Sequence, residues 1–207
     1  LFLYYQSVNF SITPKAVTVT PAANQSKVYG ALDPVLSFVN DEGLPATAFT
    51  GKLSRAAGEN VGSYVINLGD LTAGNNYTLS LSSSPVNFSI TKKSVTVTPN
   101  SGQSKIYGAI DPTLAFTNNG GLAPSDFTGA LSRAAGENVG DYAITLGTLR
   151  AGDNYELSLD SGAPKFTIEQ AKVQSITTTV SNVSKTAYEM RNVTTAQAVV
   201  DGADLPE

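Results

Sequence analysis

Several side chains in this sequence have the type and spacing to invite a chemical reading, and most of them recur 78 residues further along. Asp33 and Asp111 each precede a proline, while Glu59 and Glu137 lie four residues beyond Arg55 and Arg133. Paired carboxylates are the working parts of a glycosidase, which needs two acids facing one cleft. The acids common to both positions number only two per copy, so the same catalysis would have to occur twice in tandem. Asp33 and Asp111 offer a carboxylate to calcium, but that ion takes six to eight oxygens, and no D-x-D-x-D-G spacing is present. Arg55 with Glu59, and Arg133 with Glu137, read most simply as surface ion pairs worth about 0–1 kcal/mol. Asn60, Asn76, Asn138 and Asn154 sit by glycines, where an Asn closes a turn with its side chain or accepts a left-handed backbone. Lys15, Glu59 and Asn87 are the residue types of an intramolecular isopeptide cross-link, yet the counterpart of Asn87 is Lys165, which removes the acceptor from the second copy.

The rest of the inventory excludes more than it offers. The 207 residues contain no Cys and no His, so there is no Ser-His-Asp triad, no thiol nucleophile, no disulfide and no zinc site of the usual ligands. The expectation is therefore a protein that is not an enzyme, with no catalytic residue, no metal and no cofactor. With 13 basic and 17 acidic residues, and no basic run longer than Lys92-Lys93, the chain has no electrostatic footprint for nucleic acid. No apolar stretch approaches the roughly 20 residues that span a bilayer, so no membrane insertion is expected. Six N-x-S/T triplets, at Asn9, Asn24, Asn76, Asn87, Asn182 and Asn192, read as chance products of a composition rich in Asn, Ser and Thr. Starting at Leu1 without a targeting pattern, the sequence reads as a piece of a longer protein.

Slid against itself, the sequence aligns residues 12–89 with 90–167 without a gap, and 48 of the 78 pairs are identical. The matches include S-K-V-Y-G-A-L-D-P against S-K-I-Y-G-A-I-D-P and the run L-S-R-A-A-G-E-N-V-G at 53–62 and 131–140. A period of this length exceeds that of solenoid repeats and suffices for a small domain with its own core. The resulting organisation is the end of a preceding repeat at 1–11, one repeat at 12–91, a second at 92–169, and a different C-terminal segment, a partial domain or tail, at 170–207. In the first segment Val8 to Ser11 repeats Val86 to Ser89, and Leu1 and Leu3 fall on Leu79 and Leu81.

Within each repeat, apolar and polar residues alternate over short spans such as Val17 to Thr20, Tyr64 to Leu68, Tyr77 to Leu81 and Phe88 to Ile90, the period of half-buried strands. Gly, Asn, Asp and Pro clusters supply the turns between about seven strands. The fold class is all-β, with tandem small β-sandwich modules of immunoglobulin-like type joined end to end. Tyr64 and Tyr142, each two residues before an inward Ile, have the spacing of a tyrosine corner. The alternative is a β-grasp-like module with one short helix at 44–49, a stretch long enough for only a single turn. The connectors, Ile12 to Val17 and Ile90 to Val95, leave little slack, so two modules of about 30 Å make a rod of roughly 60 Å.

The sequence Y-G-A-x-D-P-x-L-x-F, followed by F-T-G-x-L-S-R-A-x-G-E-N-V-G-x-Y-x-I, A-G-x-N-Y and F-x-I, resembles the tandem MBG-type repeat domains of bacterial filamentous-haemagglutinin-like exoproteins and adhesins. The likeness covers residues 1–173 and assigns no catalytic residue. It implies a secreted stalk at a bacterial cell surface, presenting an adhesive region whose host or matrix glycan or protein partner is bound by other parts of the full-length protein; the chain itself is expected to be a monomer. In the alternative the modules bind a host glycan or matrix protein themselves, through a shared groove with exposed Tyr29/Tyr107 or Tyr77/Tyr155.

Overall fold

A computed structural model of the chain describes residues 9–178, 196–200 and 203–204. The sequence features at Leu1, Leu3, Val8, Asn182 and Asn192 lie outside the described residues. Two compact units result, the first built mainly from residues up to Lys93 and the second mainly from residues beyond it.

The first unit contains seven strands: β1 (Lys15–Pro21), β2 (Ser26–Val28), β3 (Phe38–Asn40), β4 (Ser54–Arg55), β5 (Gly62–Asn67), β6 (Tyr77–Leu81) and β7 (Asn87–Thr91). They form two sheets, of order β3-β1-β6 and β2-β7-β5-β4. Alternation decides which side chains face inward. In β1, Val17, Val19 and Pro21 are buried while Thr18 and Thr20 are half-exposed, and in β7 Phe88 and Ile90 are buried between exposed neighbours. Inward residues of both sheets join in one core of Val19, Leu36, Leu53, Ile66, Leu71, Phe88 and Ile90. This is the expected sandwich, with one addition. β1 runs parallel to β6 and β2 parallel to β7, beside the antiparallel pairs β1 with β3, β4 with β5 and β5 with β7.

The second unit repeats this plan. β8 (Lys93–Pro99), β10 (Phe116–Asn118) and β14 (Tyr155–Leu159) make one sheet, with β8 in the middle. β9 (Ser104–Ile106), β15 (Phe166–Glu169) and β12 (Gly140–Tyr142) make the other, and β11 (Ser132–Arg133) pairs with β13 (Ile144–Thr145). Register is kept at the same offset: Tyr64 faces Phe88 in the first unit and Tyr142 faces Phe166 in the second. The second core consists of Val97, Leu114, Leu131, Ile144, Leu149, Phe166 and Ile168, the same seven residue types in the same order. Identity is thus complete in the core, while the loops at 22–24 and 45–48 differ from their counterparts.

Residues 44–49 contain only a single 3₁₀ turn, Ala46–Ala48, and its counterpart is Pro124–Asp126, so the module has no helix of the β-grasp kind. After this turn Phe49 meets Phe38 edge to face at 5.1 Å, as Phe127 meets Phe116. In the C-terminal segment, β16 (Val173–Thr178), β17 (Ala196–Val200) and β18 (Ala203–Asp204) form an antiparallel sheet of order β16-β17-β18.

Candidate functional site

The charged residues shared by the two repeats converge at one place in each unit. Lys27 comes from β2, Arg55 from β4, Asp33 from the loop after the Tyr29-Gly30 turn, and Glu59 from the loop between β4 and β5. A turn positions Asp33: Ala31 N–H donates to the Val28 carbonyl at 3.0 Å, and Gly30 takes φ +80°. That backbone region favours glycine.

Asp33 accepts two parallel hydrogen bonds from Arg55, Nε to Oδ2 at 2.7 Å and Nη2 to Oδ1 at 3.0 Å. Lys27 Nζ lies 2.6 Å from Asp33 Oδ1 and also pairs with Glu59 Oε2, while Arg55 Nη2 donates to Glu59 Oε1 at 2.6 Å. The remaining Arg55 nitrogen, Nη1, donates to the carbonyls of Ala56 and Gly58, so all three guanidinium nitrogens are engaged. Its carbon stands 5.0 Å from the Tyr64 ring centroid and 5.5 Å from that of Phe88. The cations form the floor, with side chains 5% and 6% exposed, and the carboxylates the rim, with 42% for Asp33 and 65% for Glu59.

The second unit builds the same quartet from Lys105, Asp111, Arg133 and Glu137. Lys105 Nζ is 2.6 Å from Asp111 and 2.5 Å from Glu137, and Arg133 Nε is 2.6 Å from Asp111. Arg133 again stands over two rings, those of Tyr142 and Phe166.

Electrostatics follow from this geometry. Hydrogen bonds from Arg55, then Lys27, hold the Asp33 carboxyl down to about 2, and Arg133 with Lys105 does the same for Asp111. Glu59 is lowered by Lys27 first and Arg55 second. Lys27 is raised by Asp33 and then Glu59, against a smaller opposing effect of burial. All four groups therefore remain ionised around neutrality, and each quartet is electrically neutral.

The expectation of a simple surface pair between Arg55 and Glu59 is thus corrected. The two do meet, but as half of a quartet whose cations are withdrawn from water. Sequence reasoning missed Lys27 and Lys105 because β2 and β9 are only three residues long. A signal existed: both lysines lie in the S-K-x-Y-G-A stretch retained by the repeat.

The ten-residue run around Arg55 is explained at the same time. Tyr64 Oη donates to the Asn60 carbonyl at 2.6 Å, and Tyr142 to that of Asn138, which closes the tyrosine corner inferred from spacing. Gly58 adopts φ +140°, and a Cβ there would lie 2.4 Å from Tyr64 Cε1. The asparagine expectation is corrected as well. Among described non-glycine residues only Asn24 has positive φ, and the side chains that close turns belong to Asn40 and Asn118, each bonded to the backbone of the leucine four residues on. Asn60 and Asn138 offer their backbone carbonyls to the tyrosine hydroxyls.

Isopeptide candidates are kept apart: Lys15 pairs with Glu42, whereas Glu59 faces Lys27 and Arg55. Lys27 does touch two carboxylates, but amide formation requires an uncharged amine and an uncharged acid, the opposite of the ionisation these contacts enforce. A divalent cation at Asp33 or Asp111 would have to displace both resident cations. No group of three His, Cys, Asp or Glu placed to hold a metal occurs among the described residues.

Three members of each quartet also line a shallow groove, of about 400 Å³ in the first unit, bounded by residues 33–36 and 52–59, and of about 420 Å³ in the second, bounded by residues 111, 112, 114 and 131–137. No tyrosine lines either groove. Tyr29 is half-buried against the core, Tyr77 and Tyr155 are half-buried, and Tyr107 is exposed. Among the described residues, no helix is long and apolar enough to cross a membrane.

Two small all-strand sandwiches in sequence, with identical core residues and the same internal charge quartet, define a tandem-repeat protein built from one module. The chain belongs to the family described as the MBG domain (YGX type), which matches residues 17–86 and again 95–167. The Y-G-A triplet at 29–31 and 107–109, which fits the YGX of that description, is the turn that delivers Asp33 and Asp111. Among curated proteins, none matches the chain. MBG domains are found in repeat regions of surface proteins, which indicates a structural role.

Proposed function

We propose that these modules are spacer material in a secreted bacterial surface adhesin: a non-enzymatic stalk that carries an adhesive region away from the cell and supports attachment through it. One observation carries the reading. The charged residues retained in both copies at the quartet, Lys27, Asp33, Arg55 and Glu59 with their counterparts, are bonded to one another within their own unit. Residues kept for the module's own integrity suit an element whose value lies in being repeated. The connector supports the same reading, since Lys92 alone separates the end of β7 from the start of β8.

Small-angle scattering on the whole chain tests it. A stalk gives a pair-distance distribution well beyond the about 30 Å of one module and unchanged by ionic strength. A profile that fits only freely swinging modules overturns it. Glycan-array binding by the chain, lost in Tyr107→Ala with the fold intact, would replace the spacer by a module that binds its own ligand.

A further inference from the structure

This chain holds one strand sequence twice, and only one of the two copies lies in a sheet. Asn-Phe-Ser-Ile-Thr at 87–91 is β7, and residues 9–13 have the identical sequence. β7 is interior to its sheet, antiparallel to β5 and parallel to β2. Its Phe88 and Ile90 are 0% and 2% exposed, and their counterparts Phe166 and Ile168 are both 0% exposed. Phe10 and Ile12, the same residues at the same spacing, are 89% and 84% exposed. An exposed Phe and Ile two residues apart on extended chain lack the burial that the alternation pattern is built for.

The slot that fits them is fully described by this structure. It consists of a β2-like edge offering a parallel partner, a β5-like edge offering an antiparallel one, and between them the space that Phe88 and Ile90 fill above a buried arginine. Within the first unit that slot already holds β7. We propose that residues 9–13 are the interior strand of a further MBG-type module, docking between its β2 and β5 equivalents with Phe10 and Ile12 in the places of Phe88 and Ile90. The occupant is thus a module of this same family that lacks its own last strand. The consequence for assembly is specific: each module is closed by the strand that runs directly into the next one, as β7 runs into β8 through Lys92. This inference concerns strand pairing and stands independently of the spacer reading.

The test adds the missing body to the full chain. Because Leu1 aligns with Leu79, a copy of residues 15–78 fused before Leu1 reconstructs every strand of a module except the one that residues 9–13 would supply. Hydrogen exchange is followed at the amides of residues 10 and 12 and compared with residues 88 and 90. In the chain as it stands, residues 10 and 12 exchange freely. In the fused chain they slow by about a hundredfold or more. Phe10→Asp in the fused chain restores free exchange there and unfolds the added body, leaving residues 88 and 90 as slow as before. A second fusion carrying residues 15–91, with its own copy of β7, controls for folding of the added body. Protection of the added body in that control, with residues 10 and 12 unprotected in the first fusion, overturns the proposal. So does full protection of the added body in the first fusion despite Phe10→Asp.

Discussion

Protonating or removing one rim carboxylate tests the quartet most directly, and Asp33 is the group to choose because it takes the two-pronged bond from Arg55 and is the less exposed of the two carboxylates. Its carboxyl is held at about 2 against an ordinary 3.8. That gap corresponds to about 2.5 kcal/mol at roughly 1.4 kcal/mol per pH unit. With 42% of the side chain in water, screening reduces the contribution to about 1–1.5 kcal/mol. The sign follows from linkage. A carboxyl whose folded value is lowered stabilises the protein above its unfolded value, and that stability is lost as pH falls through 3.8 towards 2. Asp111 behaves identically, and no His titrates between pH 5 and 8 to obscure the effect. Thermal melts by circular dichroism should therefore be flat from pH 8 to 5. The double variant Asp33→Asn with Asp111→Asn should melt about 5–10 °C below the parent at pH 7, with the difference shrinking towards pH 2. A double variant that retains the parent's acid slope, or a gap that does not narrow on acidification, would refute the assignment.

Three further substitutions probe the neighbouring parts. Gly58→Ala places a Cβ against the Tyr64 ring at a backbone angle that side chains rarely adopt, and should cost about 2–4 kcal/mol in urea unfolding. Tyr64→Phe removes only the hydrogen bond to the Asn60 carbonyl, so a loss of about 1 kcal/mol in the same assay is expected. Arg55→Lys keeps the charge but loses the two-pronged bond to Asp33 and the guanidinium's cation–π contact with two rings; its melting temperature should fall by more than that of Tyr64→Phe, and a neutral result would count against those contacts.

The strands legible in the sequence were those with room to alternate. β1, β5, β6 and β7 each run five to seven residues, and their periodicity is visible without any structure. β2 and β4 span three and two residues, too short for a period to emerge, and they supply both cations of the quartet. Three of the four quartet residues, Asp33, Arg55 and Glu59, are therefore recognisable by spacing, while Lys27 is not. Parallel pairing of β1 with β6 was equally hidden, because pattern within a strand carries no information on the direction of its neighbour. The tyrosine corner could be read because its geometry is local, a hydroxyl reaching four residues back along the same chain.

The placement of the quartet explains why a module this small retains four charges at one point. Withdrawing Lys27 and Arg55 from water is unfavourable, and their attraction to Asp33 and Glu59 offsets that cost only when all partners are in place. The four residues reach the quartet from β2, the Asp33 loop, β4 and the loop before β5, and Arg55 also packs on Phe88 of β7. Their mutual satisfaction therefore requires one arrangement of most of a sheet at once, which a core of seven apolar residues does not by itself specify. Hydrophobic packing tolerates slips of a short strand such as β2; an ammonium that must meet two carboxylates does not. In a chain whose two units have interchangeable core residues, that requirement acts on register within each unit, and it acts identically in both because every member of the quartet is duplicated.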